Sequence, residues 1–473
     1  MSRLKLWILT LVVVVGVHFG GVASEVKVVN SLAELLPYLS QSDVNVKLAP
    51  GLYRHTLNDA RSKPFNKSKI DVTKGKFTYA LLLIAGNNST YDFEGVTIEV
   101  ETSVFNAYEG SEFVELHTVG SNNVVKGLKL QDVGGLYDFP QWGCVNIVAD
   151  GANNRIEGVE VRSVGSYPYG YGEVFGKGGP ATIRHKKHSA CLVRGYANHI
   201  KDCKIYHRAY GHCLFMQAAD KPFIDGCYIE GEMGSTDAVL RERGSGSAAD
   251  KINFKTVWGY PVPEGHAIAL CEEGIRAYNG GSTIVDGERF SRGTSNVTIK
   301  DCYVKNARAG VTLTHAKGTR YVENTTAVGC NRGFAVGTGG RIVNCFADTK
   351  NGPAFGVDYE SDRGIVADIT ILPYEGEHYN GSTHMAIIIG QNHKITFKKG
   401  DGLRCAEDLY IHIGGDNKTI GMLKDDNNYK ATGINIINET GYTMVLDDNA
   451  SNISGSTAGK LIDEGVNNSV ETK

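Results

Sequence analysis

The sequence predicts an all-β solenoid, a coil of short strands stacked rung upon rung. One reason is a repeated fragment: "NVVKGLKL" (123–130), "NRIEGVEV" (154–161) and "NHIKDCKI" (198–205) each open on asparagine and carry apolar residues at the third, sixth and eighth places. Asn123, Asn154 and Asn198 each follow a glycine by three residues, and seven residues before them stand Leu116, Ile147 and Cys191, so a second strand recurs in step with the first. Composition agrees. With 58 glycines, 11 prolines and little helical periodicity, the chain suits many tight turns between short strands. A repeat of a few dozen residues that buries little alone must stack to make a core.

The repeated strand returns as "FIDGCYI" (223–229), "TIKDCYV" (298–304) and "RIVNCFA" (341–347). Cys227, Cys302 and Cys345 there take the slot of Leu128, Val159 and Cys203, which reads as the strand centre. Ten cysteines in an exported chain ordinarily suggest disulfides. Placed in one stacking column, they are more simply small buried hydrophobes, because bridge geometry between neighbouring rungs is restrictive.

Ahead of the repeats, Arg3 and Lys5 precede a short apolar run, "LWILTLVVVVGV", and then "GGVAS". That pattern predicts a signal peptide over 1–24, too short to span a bilayer, and a secreted or periplasmic protein of one domain over 25–473. Losing 1–24 removes two cations and no acids, so the remainder is more acidic than the −3 of the whole chain. Neither nucleic acid nor membrane insertion is expected. "SLAELLPYL" (31–39) opens on a Ser31 to Glu34 capping box and predicts a short N-terminal helix that caps the first rung. "VNVKLAPGLYR" (44–54) follows as strand and turn. Here the sequence resembles the right-handed parallel β-helix proteins of the pectate lyase type, in which a capping helix precedes a strand ending in proline, glycine and tyrosine. The resemblance implies that architecture for most of the chain. Beyond 405 the strands lose regularity, and the stretch is read as finishing the solenoid.

Between the asparagine-led strand and the next apolar strand, the connections run 131–144, 162–188 and 206–212. Equivalent points of a coil emerge on one side. The shortest, "YHRAYGHC" (206–213), offers His207, Arg208, Tyr210 and His212; the longest offers Tyr167, Tyr169, Tyr171, Lys186, Lys187 and His188. The following coils add Arg241, Glu242, Arg243 and Arg276. Cations interleaved with aromatics fit an acidic oligosaccharide or polysaccharide, since Arg and Lys pair with carboxylate or sulfate.

β-Elimination on a uronate needs a cation on the carboxylate, a base for the carbon 5 proton and an acid for the group leaving carbon 4. Candidate catalytic residues are His207, Arg208, Tyr210, His212, Lys187 and His188. Arg241, Glu242, Arg243, Tyr167, Tyr169, Tyr171, Lys186 and Arg276 are the candidate substrate-binding residues. The arrangement is similar to β-helix uronate lyases and to an oligosaccharide dehydratase acting on ulvan fragments, which implies a carbon–oxygen lyase. Two alternatives stay open: hydrolysis by two of Asp237, Glu242, Glu272 and Glu273, and glycan binding without catalysis. No HExxH or CxxC spacing occurs, so no metal or cofactor is expected, with calcium on loop carboxylates left open.

Overall fold

The computed structural model describes residues 25–73, 76–108, 111–135, 144–176, 181–376, 381, 383–415 and 428–473. The expected signal peptide lies outside them. Each coil makes three strands. In one, the chain passes along Cys144–Ala149 in a first sheet, turns, enters a second sheet with Arg155–Glu157, bends, and follows Glu160–Val164 in a third before returning to the first at His188–Val193. First-sheet strands stack into a 14-stranded sheet, and second and third strands join as one 23-stranded sheet. Stacking is parallel and in register: Ile147 lies between Leu116 and Cys191, and Ile156 between Val125 and Ile200.

The asparagines hold the turn between first and second sheets. Asn123 N–H donates to Asn154 Oδ1 and Asn154 N–H to Asn198 Oδ1, each at 2.9 Å. Asn154 Nδ2 donates to the Gly120 and Asp150 carbonyls at 2.8 Å. All three asparagines are buried, where an unpaired polar group would be costly.

Leu128, Val159 and Cys203 are buried in the core but mark a bend, not a strand centre. The residue before each, Gly127, Gly158 or Asp202, has a φ of 50–75°, and this left-handed step turns the chain from second sheet to third. All ten cysteines are free thiols, nine of them buried.

The N-terminal helix is a single turn, Leu32–Leu35, continued by a 3-10 turn, Leu36–Tyr38. Ser31 Oγ accepts from Glu34 N at 3.1 Å, while the Glu34 carboxylate reaches back to Asn30 N rather than to Ser31. Past 405, strands such as Asn435–Asn438, Ser454–Thr457 and Ser469–Thr472 keep the stacking.

Outward from the second sheet, Lys47, Asp92, Lys126, Glu157, Lys201, Asp225, Lys300 and Glu323 follow one another coil by coil, alternating in sign. The Lys300–Glu323 pair closes at 2.6 Å and Lys201–Glu157 at 3.2 Å.

The long returns fold on one another. Residues 165–176, 181–187 and 231–270 build a separate apolar cluster from Tyr171, Phe175, Val239, Phe254, Ile268 and Leu270. Within it a short helix, Thr236–Leu240, follows a strand, Met233–Ser235, that pairs antiparallel with Ala267–Ala269.

Candidate active site

The sequence motif at 206–213 divides. Tyr206, His207 and Arg208 finish a third-sheet strand, Lys204–Arg208, in register with Arg162, Ser163 and Val164, so this part is not the loop expected from the sequence. Strand alternation turns Tyr206 and Arg208 outward and His207 inward. Ala209–Cys213 then carries the chain back to the first sheet.

His207 is fully buried, with the Gly211 backbone against its ring. Burial, reinforced by His188 and His212, brings its pKa down to about 3. A neutral interior ring fills space. His207→Ala should therefore cost about 2–4 kcal/mol of stability by opening a cavity, read as a lower unfolding midpoint. The sequence reading, with His207 on a loop, expected no such loss.

His188 is also interior. Its Nε2 lies 3.0 Å from Asn146 Oδ1, which accepts a hydrogen bond from Ser163 Oγ, while Asn146 Nδ2 donates to Asp132 at 3.2 Å. Burial lowers the His188 pKa. Beside this group, burial and then the Asp132 carboxylate push Glu115 well above its ordinary 4.5, so Glu115 holds a proton. A pKa raised by folding contributes stability that is full below 4.5 and is lost as pH climbs towards the folded value. Glu115→Gln should match wild type at pH 4 and melt higher at pH 8, by on the order of 1 °C per kcal/mol gained for a chain of this length.

The other half of the motif joins a charged cluster on the first-sheet side. His212 Nε2 lies 2.7 Å from Tyr278 Oη and 3.1 Å from Glu272 Oε2, and its Nδ1 lies 3.0 Å from Glu273 Oε2. Lys187 Nζ binds Glu272 at 2.8 Å and sits 5.3 Å from the centre of the Tyr210 ring. Arg276 and Arg308 both pair with Glu273, and Arg308 also with Glu173. The Arg276 guanidinium lies 4.9 Å from the Tyr278 ring centre and reaches His315 Nδ1 at 3.2 Å; His315 Nε2 in turn meets Tyr359 Oη at 2.9 Å.

Electrostatics fix the charge states. Burial opposes ionisation of Glu272 and Glu273, yet His212, Lys187 and Arg308 outweigh it and bring Glu272 down to about 2. Arg308, Arg276 and His212 hold Glu273 well below the carboxylate range. Burial, then Glu272 and Glu273, raises the Tyr278 phenol. Burial, then Glu272, does the same for Tyr210, whose hydroxyl has no partner and whose ring packs 4.1 Å from His185.

Of the residues expected from sequence, Lys187, Tyr210, His212 and Arg276 therefore come together. Arg208 lines another groove, on the third-sheet side, and Tyr169 donates to Glu232 of that groove at 2.6 Å. Tyr167 and Lys186 pair through their backbones at the start and end of the long return. Arg241, Glu242 and Arg243 belong to the 231–270 excursion: Arg241 ends its helix and is exposed, Glu242 accepts from Tyr171 Oη at 2.7 Å, and Arg243 lies over Phe254.

Sequence reasoning missed Arg308, His315 and Tyr359. Arg308 stands in the return from Tyr303–Lys305 to Val311–Thr312, so reading equivalent returns in later coils would have found it. Among the described residues no three His, Cys, Asp or Glu side chains are arranged to hold a metal ion, and no described helix is long and apolar enough to cross a membrane.

Parallel coils with three strands each, a turn ladder and long returns on one side define a right-handed parallel β-helix. Residues 146–347 match the family model described as "Right handed beta helix region". No curated protein matches the chain. Among solved structures it is similar to the alginate lyase AlyF-OU02 in complex with G6, at 11% identity and a TM-score of 0.40, over 91% of this chain and 77% of that one. A rhamnogalacturonan lyase aligns at 12% and 0.42, over 78% and 77%. A mannuronic acid specific polysaccharide family 6 lyase from human gut microbiota aligns at 11% and 0.41, over 95% and 83%. Similarity at this level leaves activity to be read from the chain's own residues.

Proposed function

We propose that the protein is a carbon–oxygen lyase that acts by β-elimination on uronate residues of an acidic glycan, with Tyr278 and His212 as its proton-transfer couple. The observation that carries this reading is the His212 imidazole, held between two ionised buried carboxylates with Nε2 2.7 Å from the Tyr278 phenol. Glu273 Oε2 lies 3.0 Å from Nδ1, so the carboxylate favours the tautomer with its proton on Nδ1 and leaves Nε2 to take the phenolic proton. Glu272 and Glu273 then stabilise the imidazolium, as an acid orients histidine in other triads. The phenolate removes the carbon 5 proton, that bond's electrons form the double bond to carbon 4, and the carbon 4–oxygen bond breaks. Tyr278, now carrying the proton, returns it to the leaving oxygen. Arg276 and Lys187 are the cations available to the uronate carboxylate, where they lower the cost of charge spreading from carbon 5.

Hydrolysis fits this cluster less well. It needs one carboxyl group kept protonated as an acid, whereas Glu272 and Glu273 are both held ionised. Asp237 accepts from Gly265 N and Glu242 from Tyr171 Oη. The leader-like sequence of residues 1–24 supports action outside the cytoplasm, where uronate polymers, including sulfated ones of the ulvan type, are met.

The test is a panel of acidic glycans read by ultraviolet absorbance and mass. Absorbance of a conjugated unsaturated uronate supports elimination. Shortened products then mean a polysaccharide lyase, and loss of water from an intact oligosaccharide a dehydratase. Reducing ends without that absorbance overturn the reading in favour of hydrolysis.

A further inference from the structure

The groove that takes Tyr206 and Arg208 shares no lining residue with the His212 cluster. It has a volume near 640 Å³ and is lined by Arg162, Tyr206, Arg208, Glu230, Glu232 and Asn306, among others. A second cavity of 410 Å³ continues it through Met233 and Asn306 to His266, Lys350 and Asn351. From the coil of Gln131 to that of Lys350 is six steps, roughly 29 Å at about 4.8 Å per coil, along the solenoid axis. That is the dimension of a polymer segment rather than of one small molecule.

The carboxylates and the cations of the groove differ in how they are held. Each outward carboxylate already has a donor: Glu230 accepts from Tyr228 Oη at 2.6 Å, Glu232 from Tyr169 Oη at 2.6 Å, and Asp237 from Gly265 N at 2.8 Å. The cations differ. Arg162 is bound to Glu160 and lies over Tyr206 at 4.7 Å, but Arg208 and Lys350 make no ion pair among the described residues. Arg208 is exposed at the strand end. Tyr206, Tyr228 and Tyr303 add a ladder of rings 5.6–5.8 Å apart beside it. Unpaired cations four coils apart along the trough, roughly 19 Å at about 4.8 Å per coil, with aromatic faces and amides between them, complement a chain that is anionic at intervals and otherwise hydroxyl-rich.

We infer that this groove is a second, non-catalytic binding track for a stretch of anionic glycan, anchored by Arg208 and Lys350 and separate from the His212 cluster. Its occupant is of the same class as the proposed substrate, but the inference stands on the groove's own residues. A bound stretch is either the continuation of the polymer under attack or a second chain. Both supply the same carboxylate or sulfate, and polymer length distinguishes them.

The experiment is affinity electrophoresis through gels containing alginate, ulvan, polygalacturonate or chondroitin sulfate, in a Tyr278→Phe background so that no polymer is consumed. At least one polyanion should retard the protein. Arg208→Glu combined with Lys350→Glu should then weaken that binding tenfold or more, with an unchanged melting transition because Arg208 is exposed and Lys350 half-buried. Tight binding of size-fractionated short oligomers marks a separate chain, whereas binding only of long polymer marks a continuation. Retention of full binding by the double variant, with loss in Arg276→Ala, overturns the track and leaves the elimination site standing. Weakened binding in the double variant, together with no absorbance from any glycan when Tyr278 is intact, leaves the track and removes the elimination. Absence of retardation by all four overturns the track.

Discussion

Tyr278→Phe is expected to lower turnover by about 10²–10⁴-fold, the usual contribution of a positioned acid–base group, while leaving the melting transition within about 1 kcal/mol of wild type. The phenyl ring keeps the contact with Arg276 and the packing against Phe215. Only the hydroxyl 2.7 Å from His212 is lost. Initial rates of absorbance increase on the most responsive glycan measure it. His212→Ala is a harsher change, since it also leaves Glu272 and Glu273 without the imidazole that helps hold them ionised. Its loss of activity would not separate chemistry from folding. If Tyr278→Phe turns over at the wild-type rate, the hydroxyl takes no part and the couple is wrong.

Asn154→Ala should be among the most destabilising single changes in the solenoid. The amide accepts from Asn123 N and donates to the Gly120 and Asp150 carbonyls, all in the buried turn. Removing it orphans one donor and one acceptor at about 1–3 kcal/mol each, since the Asp150 carbonyl still accepts from Asn198 Nδ2, for an expected total of about 2–5 kcal/mol. Its neighbour is the control. Asn153 is exposed with a φ of 54°, and its side chain donates to Asn122 Oδ1. Asn153→Ala should cost about 1–2 kcal/mol, mainly for placing alanine in the left-handed region. Urea unfolding with an unchanged slope and a shifted midpoint reads both.

The turn ladder was legible in the sequence because register repeats it: seven residues before each asparagine, Leu116, Ile147 and Cys191 do stack as neighbours. The slot of Leu128, Val159 and Cys203 was legible as buried but not as bent, since an apolar residue at a corner and one in a strand centre leave the same letter. The structure separates them through the positive φ of the residue before. Lys187, Tyr210 and His212 were recognisable as a group because equivalent returns emerge together, and Arg276 joins them from the first-sheet strand Ile275–Ala277. His207 was not separable from them by sequence. Whether a return begins at residue 206 or 209 depends on pairing with Arg162–Val164, a contact between residues more than forty apart. Arg308, His315 and Tyr359 lie in coils whose returns are short and carry no crowded motif, so their part in the cluster is set by the winding alone.

The alternating charges from Lys47 to Glu323 give the winding a parity. A chain that skipped one full turn in this stretch would set lysine on lysine or acid on acid at that junction, a small local repulsion in place of an attraction. Skipping two turns would restore the attraction. Lengthening or shortening such a molecule by even numbers of turns is therefore electrically silent, whereas an odd change leaves a seam of like charges, so growth by duplication in this region would proceed in pairs.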